Sequence, residues 1–330
     1  MKKTTFASLF SQKNVTLIYL LLVLISNVRG QISTTAIAPK VSTNQNVVYD
    51  STLNFLGKNV NGYIGQDLYL KGKAETLRQY GYDGFLADYR KHHMDNGAVY
   101  KCCDSYNSKY NELAGKYFHV LEVFRHPKAE ESTYLYGKKY FLKLQEKESK
   151  DILYYEYDTE YESSFPFIVV SFFQKQKELL LGQKFLFADK VLETSTDITT
   201  GKVITTQTGQ VWTVLDLTIE EKYYSLSFII QNELKEKTTI SYASALGQWS
   251  EGRTYTLESA ARFTKKFGKE NFDRILQGKV KIGMTKEMCK LSWGTPKDIN
   301  ETISVGNKSE QWVYSENYLY FDNGILTTIQ

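Results

Sequence analysis

Three stretches of this chain occur twice, in the same order. Ile64-Gly65-Gln66-Asp67-Leu68-Tyr69-Leu70 returns as Leu181-Gly182-Gln183-Lys184-Phe185-Leu186-Phe187. Gly115-Lys116-Tyr117-Phe118-His119-Val120-Leu121-Glu122-Val123 returns as Gly209-Gln210-Val211-Trp212-Thr213-Val214-Leu215-Asp216-Leu217. A third pairing sets Tyr140-Phe141-Leu142-Lys143-Leu144, continuing to Ile152-Leu153-Tyr154-Tyr155, beside Tyr224-Ser225-Leu226-Ser227-Phe228, continuing to Thr239-Ile240-Ser241-Tyr242. An ordered set of this kind argues for two copies of one folding unit.

Each block is rich in Tyr, Phe, Val and Leu and bounded by Gly, Lys or Asp, which is strand composition between turns. Short strands without helix-length periodicity predict a small twisted barrel, SH3-like in general form, and the middle of the chain resembles the tandem SH3-like domains of exported bacterial proteins. The expected fold is therefore mainly β. A first β-barrel domain covers 58–162, a second covers 163–250, and an α+β module covers 255–330. The Gly-Gln pairs mark a bend or bulge at the start of a strand.

The two copies differ in length at one place. Gly65 to Gly115 spans 50 residues and Gly182 to Gly209 spans 27, so the first copy carries 23 extra residues. Loops added to a scaffold are where sites usually sit. This insertion holds Tyr80-Gly81-Tyr82-Asp83-Gly84-Phe85, Tyr89, His92-His93-Met94-Asp95 and Cys102-Cys103-Asp104. Tyr80, Tyr82, Phe85 and Tyr89, loosened by Gly81 and Gly84, could form a stacking platform for a sugar or a peptide; the competing role for the same rings is to cover the barrel end.

The histidines, cysteines and aspartates match no standard metal spacing, since adjacent ligands point apart on a strand and C-x-x-C is absent, so no metal is expected. Cys102 with His92 or His93 could make a nucleophile pair on arithmetic alone. No G-x-S-x-G, H-E-x-x-H, Walker A or G-x-G-x-x-G stands in context. The expectation is a protein without catalysis or cofactor. From Tyr155 to Glu162, Tyr155, Tyr157, Thr159 and Tyr161 alternate with Glu156, Asp158, Glu160 and Glu162, the pattern of a strand with one solvated acidic face.

After Ser250 the pattern becomes helical. Apolar residues at 257, 260, 261, 263 and 267 with Gly268 behind them predict one amphipathic helix; a second covers Asn271 to Leu276, and a third starts at Thr285, whose hydroxyl can cap it. Three strands follow around 301–305, 310–315 and 317–329, with Asn323-Gly324 as a type I′ hairpin signal. Phe321, Ile325 and Ile329 have the spacing of residues that pack on the helices. In order, Gly283-Met284-Thr285-Lys286-Glu287, Gly294-Thr295-Pro296, Gln311-Trp312-Val313-Tyr314 and Tyr318-Leu319-Tyr320-Phe321-Asp322-Asn323-Gly324 resemble the BamE-like (SmpA/OmlA) outer-membrane lipoproteins. That resemblance implies a helical pair on a three-stranded antiparallel sheet and a protein–protein role in the cell envelope.

The amino terminus gives the compartment. Lys2, Lys3 and Lys13 precede Leu17 to Ile25, an apolar run shorter than the roughly 20 residues a membrane span needs, and Gly30-Gln31 offers a cleavage point, so 1–30 reads as a signal peptide. Residues 31–57 form a flexible leader or an added edge strand. No cysteine near position 31 could take a lipid. Removing 1–30 lowers 41 basic residues to 37 against 37 acidic ones, and a neutral chain lacks the cationic surface of a nucleic-acid binder. Cys102, Cys103 and Cys289 are too few for a disulfide scaffold: adjacent cysteines close only a strained ring, a bond from one of them to Cys289 is open, and buried free thiols are the common outcome. Together these features predict an exported bacterial protein of the periplasm, outer membrane or exterior. Its role is protein interaction or structure, with an envelope protein as partner; peptidoglycan or glycan binding is the alternative.

Overall fold

The computed structural model describes residues 48–220, 225–247, 250–304 and 306–330. The expected signal peptide and the leader up to residue 47 lie outside the described residues. The described chain has a mixed α/β fold with four antiparallel sheets, all of them open.

The first sheet runs, edge to edge, Phe85–Leu86, Ile152–Asp158, Lys139–Glu146, Tyr117–Arg125, Asp67–Leu70 and Phe167–Val169. The second runs Lys237–Ser241, Ser225–Gln231, Val211–Glu220, Lys184–Phe187 and Thr254–Thr256. Apart from the added edge strand Phe85–Leu86, the two orders are the same. So is the detail. Gly65 and Gly182 both have positive φ, and each donates its N–H across to the next strand, to Val120 O at 2.8 Å and Val214 O at 2.9 Å. The pairing then skips one residue in both sheets, Leu121 and Leu215. In the third repeated block the structural equivalence is displaced two residues from the sequence pairing. Leu142 and Leu144 stand where Phe228 and Ile230 stand, opposite Val123 and Val120 in one sheet and Leu217 and Val214 in the other. A shift of two keeps every side chain on its face, which is why both alignments look sensible in sequence.

The expected SH3-like barrels do not form. The two edges of each sheet never meet, because the chain turns helical straight after the last strand of each unit, at Val170–Leu180 and Leu257–Phe267. Val170, Phe172 and Phe173 are buried, and their helix packs on strands Asp67–Leu70 and Phe167–Val169 and on Val211–Glu220 of the second sheet. The apolar surface that a barrel closes upon itself is here covered by helix. Residues 170–180 lie inside the span 163–250 expected to form the second β domain, for which no helix was expected.

At the carboxyl end, helices Leu257–Phe267, Lys269–Leu276 and Lys286–Trp293 pack on a sheet ordered Asp298–Ser304, Asn307–Val313, Tyr318–Asp322 and Ile325–Ile329. Thr256 and Thr285 cap their helices through side-chain oxygens. The sheet has four strands rather than three, since Asn323 and Gly324 take φ +48° and +83° and split 317–329 into a hairpin. Its core holds Phe272, Met288, Trp312, Leu319, Phe321 and Leu326, together with Leu186 and Tyr255 from the second sheet. Ile325 and Ile329, expected in that core, are 42% and 39% exposed, and Leu326 is fully buried instead. The two-residue turn sets Leu326 opposite the buried Phe321 and Ile325 opposite the exposed Asp322, and beyond the skipped Thr327 the strand ends with Ile329 opposite Leu319.

The corner that opens each repeated unit is used a third time. In Tyr63-Ile64-Gly65-Gln66, Leu180-Leu181-Gly182-Gln183 and Lys281-Ile282-Gly283-Met284 the fourth N–H returns to the first carbonyl at 2.9, 3.0 and 3.0 Å, with positive φ at each glycine, a type II turn. Gly283 donates to Leu326 O, and Leu326 N–H returns to Met284 O, as Val120 does to Gln66 and Val214 to Gln183.

Candidate functional site

The extra residues of the first unit fold as a knot against the edge of its sheet. Phe85–Leu86 pairs with Tyr155 and Tyr154. Ser108, fully buried, exchanges backbone hydrogen bonds with Tyr82 at 2.8 and 3.0 Å, and its hydroxyl lies against the carbonyls of Phe85 and Tyr100. Gly81 is required at this crossing: its φ is +56°, and a Cβ would lie 2.2 Å from the Ser108 carbonyl oxygen.

A two-stranded ribbon, Cys102–Asp104 with Asn107–Ser108, projects from the knot. Its turn residues Ser105 and Tyr106 have φ +48° and +71°, the conformation a two-residue type I′ turn demands. A tyrosine there is a steric outlier that costs of the order of 1–3 kcal/mol and persists where surrounding structure enforces it. Tyr106 nevertheless stays 69% exposed.

Tyr106 and Asn107 line a cavity of about 320 Å³, at the small end of the roughly 300–1,000 Å³ common for ligand sites. Tyr82 and Phe85 contribute to the lining although they are 2% and 1% exposed, so they form a rigid floor; their rings are 5.9 Å apart and Tyr82 stacks on Tyr110 at 5.7 Å. Leu86 and Val99 add an apolar wall, and Asp83, Glu156 and His93 bring polar atoms to it. Asn107 is oriented by donating from Nδ2 to Tyr80 O at 2.9 Å.

Glu156 is held from behind. Lys139 donates to its Oε1, and His126 Nε2 lies 3.8 Å from Oε2. The imidazole is buried between Tyr136, stacked at 4.4 Å, and Phe141 at 5.0 Å. Its Nδ1 accepts the Lys128 N–H at 3.1 Å, which leaves Nε2 to carry the proton of the neutral ring. Burial lowers the His126 pKa. Burial opposes the Lys139 ammonium too, but hydrogen bonding and charge from Glu156, with Asp158 and Asp83 nearby, outweigh it and raise that pKa.

The sequence placed Tyr80, Tyr82, Phe85 and Tyr89 on one platform. The structure brings Tyr82 and Phe85 together at the cavity. Tyr80 is half exposed and does not line it. Tyr89 packs instead among Phe124, Phe141 and Tyr154 at 4.7–5.4 Å. Tyr106, Asn107 and Glu156 were missed: the first two sit at a turn without the Asn-Gly or Asp-Gly signature, and Glu156 looked like one of a uniform acidic row. Cys102 and Cys103 are bonded to each other, while Cys289 is free and buried, so the open pairing with Cys289 and the Cys/His nucleophile pair both fall away. Among the described residues no group of three or more His, Cys, Asp or Glu is arranged to hold a metal ion, and no helix is long and apolar enough to cross a membrane. A second hollow, of about 430 Å³, is lined by Asp189, Lys190, Ile204 and Gln277 among others and has no aromatic wall.

Compared with protein-family models, curated proteins and solved structures, the chain matches none. The BamE-like and SH3-like resemblances are therefore not supported. The motifs that carried them are local devices: Gly283-Met284-Thr285 is a type II turn running into a threonine cap, and Asn323-Gly324 is a hairpin turn.

Proposed function

We propose that this chain is an exported, non-catalytic binding protein of the cell envelope and that the cavity beneath the 102–108 ribbon takes a saccharide. The observation that carries this reading is Tyr106, an exposed aromatic ring held at positive φ on the cavity wall. Strained residues cluster at ligand sites, and a ring with a polar tip suits the C–H face and hydroxyls of a sugar. Export rests on the amino-terminal segment alone. The test is a glycan array and a pull-down on purified peptidoglycan with wild type and Tyr106→Ala. Retention lost in the variant, with unchanged thermal unfolding, supports the site; no retention of either protein on any glycan refutes it.

An envelope protein as partner is the second reading. It is favoured by the edge strand Asp298–Ser304, where Ile299 and Ile303 are exposed, because an unpaired edge can accept a strand from another chain. Replacing Ile303 with Lys should abolish co-purification of such a partner from the native envelope.

A further inference from the structure

We infer that the saccharide of this cavity carries a free amino group and that Asp83 is its counter-charge, an inference that rests on the saccharide reading above. Two carboxylates, Asp83 and Glu156, reach the lining, and they stand differently. Glu156 is matched from behind: Lys139 is bonded to its Oε1, and the His126 ring lies beside its Oε2. Asp83 has no ion pair among the described residues; its Oδ1 accepts the N–H of Gly84 at 2.8 Å. Lys73 and Lys139 are in its neighbourhood, but both direct their hydrogen bonds elsewhere, Lys73 to the Gly81 carbonyl and Lys139 to Glu156. Neither lysine lines the cavity. The wall therefore presents one carboxylate that is answered and one that is open.

An ammonium suits the open one. It brings three N–H donors, and a bond between opposite charges is roughly twice as strong as one between neutral groups. An ion pair in open water contributes little; here Leu86, Val99 and the buried rings of Tyr82 and Phe85 line the same hollow, and Coulomb attraction strengthens as water is displaced. The aromatic wall adds to it, because a cation is drawn to the face of a tyrosine. Lys73 already uses Tyr82 in this way, its ammonium 5.0 Å from the ring centre. Tyr106, on the same lining and 69% exposed, leaves its ring open to the same use by a ligand. Glu156, with its charge met, remains an acceptor for a hydroxyl.

The experiment titrates the full mature chain calorimetrically with three tetrasaccharides of one β-1,4-linked series, identical except for amino, acetylamino or hydroxyl groups at the second carbon, in a mildly acidic buffer that keeps the amines protonated. His93 is the one basic side chain of the lining; its protonation in such a buffer works against a preference for the amine and cannot create one. The expected result is binding of the amino member at least about five-fold tighter than of either neutral member, a gap of about 1 kcal/mol, which narrows as salt is raised. Asp83→Asn, which keeps an acceptor for the Gly84 N–H, should bring the amino member to within about two-fold of the neutral ones and leave their affinity as it was. Asp83→Ser should act the same way and serves if the first variant does not fold. Glu160→Gln removes an exposed carboxylate that is paired with Lys138 and lies outside the lining, and should leave the preference unchanged. Equal or tighter binding of a neutral member by wild type, an undiminished preference in folded Asp83 variants, or a preference lost equally in Glu160→Gln overturns the inference and leaves the saccharide reading standing. Absence of binding by every saccharide on the array removes both.

Discussion

Glu146 and Asn232 perform the same task in successive sheets. Each is buried at the hairpin end of equivalent strands and turns its side chain back on the amides of its own loop. Glu146 accepts from Glu148 N–H at 2.9 Å and Ser149 N–H at 3.0 Å, and Asn232 Oδ1 accepts from Glu236 N–H at 3.0 Å. One copy uses a charge and the other a neutral amide, so the two hairpins should answer pH differently.

Burial would raise the Glu146 pKa, but hydrogen bonds from Ser149 and Glu148 with the charge of Lys116 prevail and lower it from 4.5. A depressed folded-state pKa contributes stability that is fully present above the unfolded value and is lost as pH falls through the folded one. Urea midpoints measured from pH 7 to pH 3 should therefore fall less steeply in Glu146→Gln than in wild type. Asn232→Asp should add acid sensitivity to the second hairpin. Parallel curves for wild type and Glu146→Gln would show that this carboxylate does not feel folding.

Gly65 and Gly182 have φ +81° and +77° with open space where a Cβ would go, so the cost of alanine there is conformational and not steric. Gly65→Ala and Gly182→Ala should each destabilise by about 1–2 kcal/mol. Denaturant unfolding measures it, and a neutral outcome at both positions would mean that the corner tolerates a different turn.

The pairing of Leu326 with the buried Phe321, and of Ile325 with the exposed Asp322, predicts an inverted pattern of sensitivity along the last strand. Leu326→Ala, at a fully buried position, should cost roughly 2–5 kcal/mol. Ile325→Ala and Ile329→Ala, both partly exposed, should each cost well under half of that in the same assay. The opposite ranking would restore the regular alternation expected from the sequence.

Cys289 is buried in the carboxyl-terminal core, and burial pushes its thiol up to about 12. Cys102 and Cys103 are exposed and tied to one another. Native protein at pH 8 should take up no iodoacetamide without a reductant and two equivalents with one, at Cys102 and Cys103. Mass spectrometry locates the label, and alkylation of Cys102 in unreduced protein would contradict the pairing.

What could be read from the sequence follows from the range over which each signal acts. The repeat was legible because it lies in strand composition and glycine position, the helix from Leu257 because its apolar residues recur at helical spacing ahead of Gly268, and the helix start at Lys286 because a capping threonine is a local feature. The open sheets were not legible. Closure depends on whether Phe167–Val169 meets a distant edge, and the helix that prevents it follows that strand directly, with Val169 at its N-cap and no side-chain cap to mark the start. Leu326 was lost to Ile325 because the two-residue turn at Asn323-Gly324 sets Leu326 opposite the buried Phe321 and Ile325 opposite the exposed Asp322, a one-residue difference that exchanges faces in a strand of period two. At the site, Tyr82 and Phe85 were visible as part of an aromatic cluster in an insertion. Glu156 reaches them from a strand some seventy residues away, and only pairing with Phe85–Leu86 brings it there.

The helix Val170–Leu180 is an overlap joint. Ser171 donates to Gln66 Oε1 of the first sheet's corner at 2.7 Å. Five residues further, Gln176 takes the Tyr242 hydroxyl from the second unit at 2.9 Å, and the Phe172 ring meets that tyrosine at 6.0 Å. Leu186 and Tyr255 repeat the arrangement by lending themselves to the core that follows. A chain emerging from its amino end thus leaves each of the two repeated sheets partly unroofed until the next helix is made, and a cut between the repeated units does not yield two finished halves. Construction of this kind lengthens by addition at one end and does not divide in the middle.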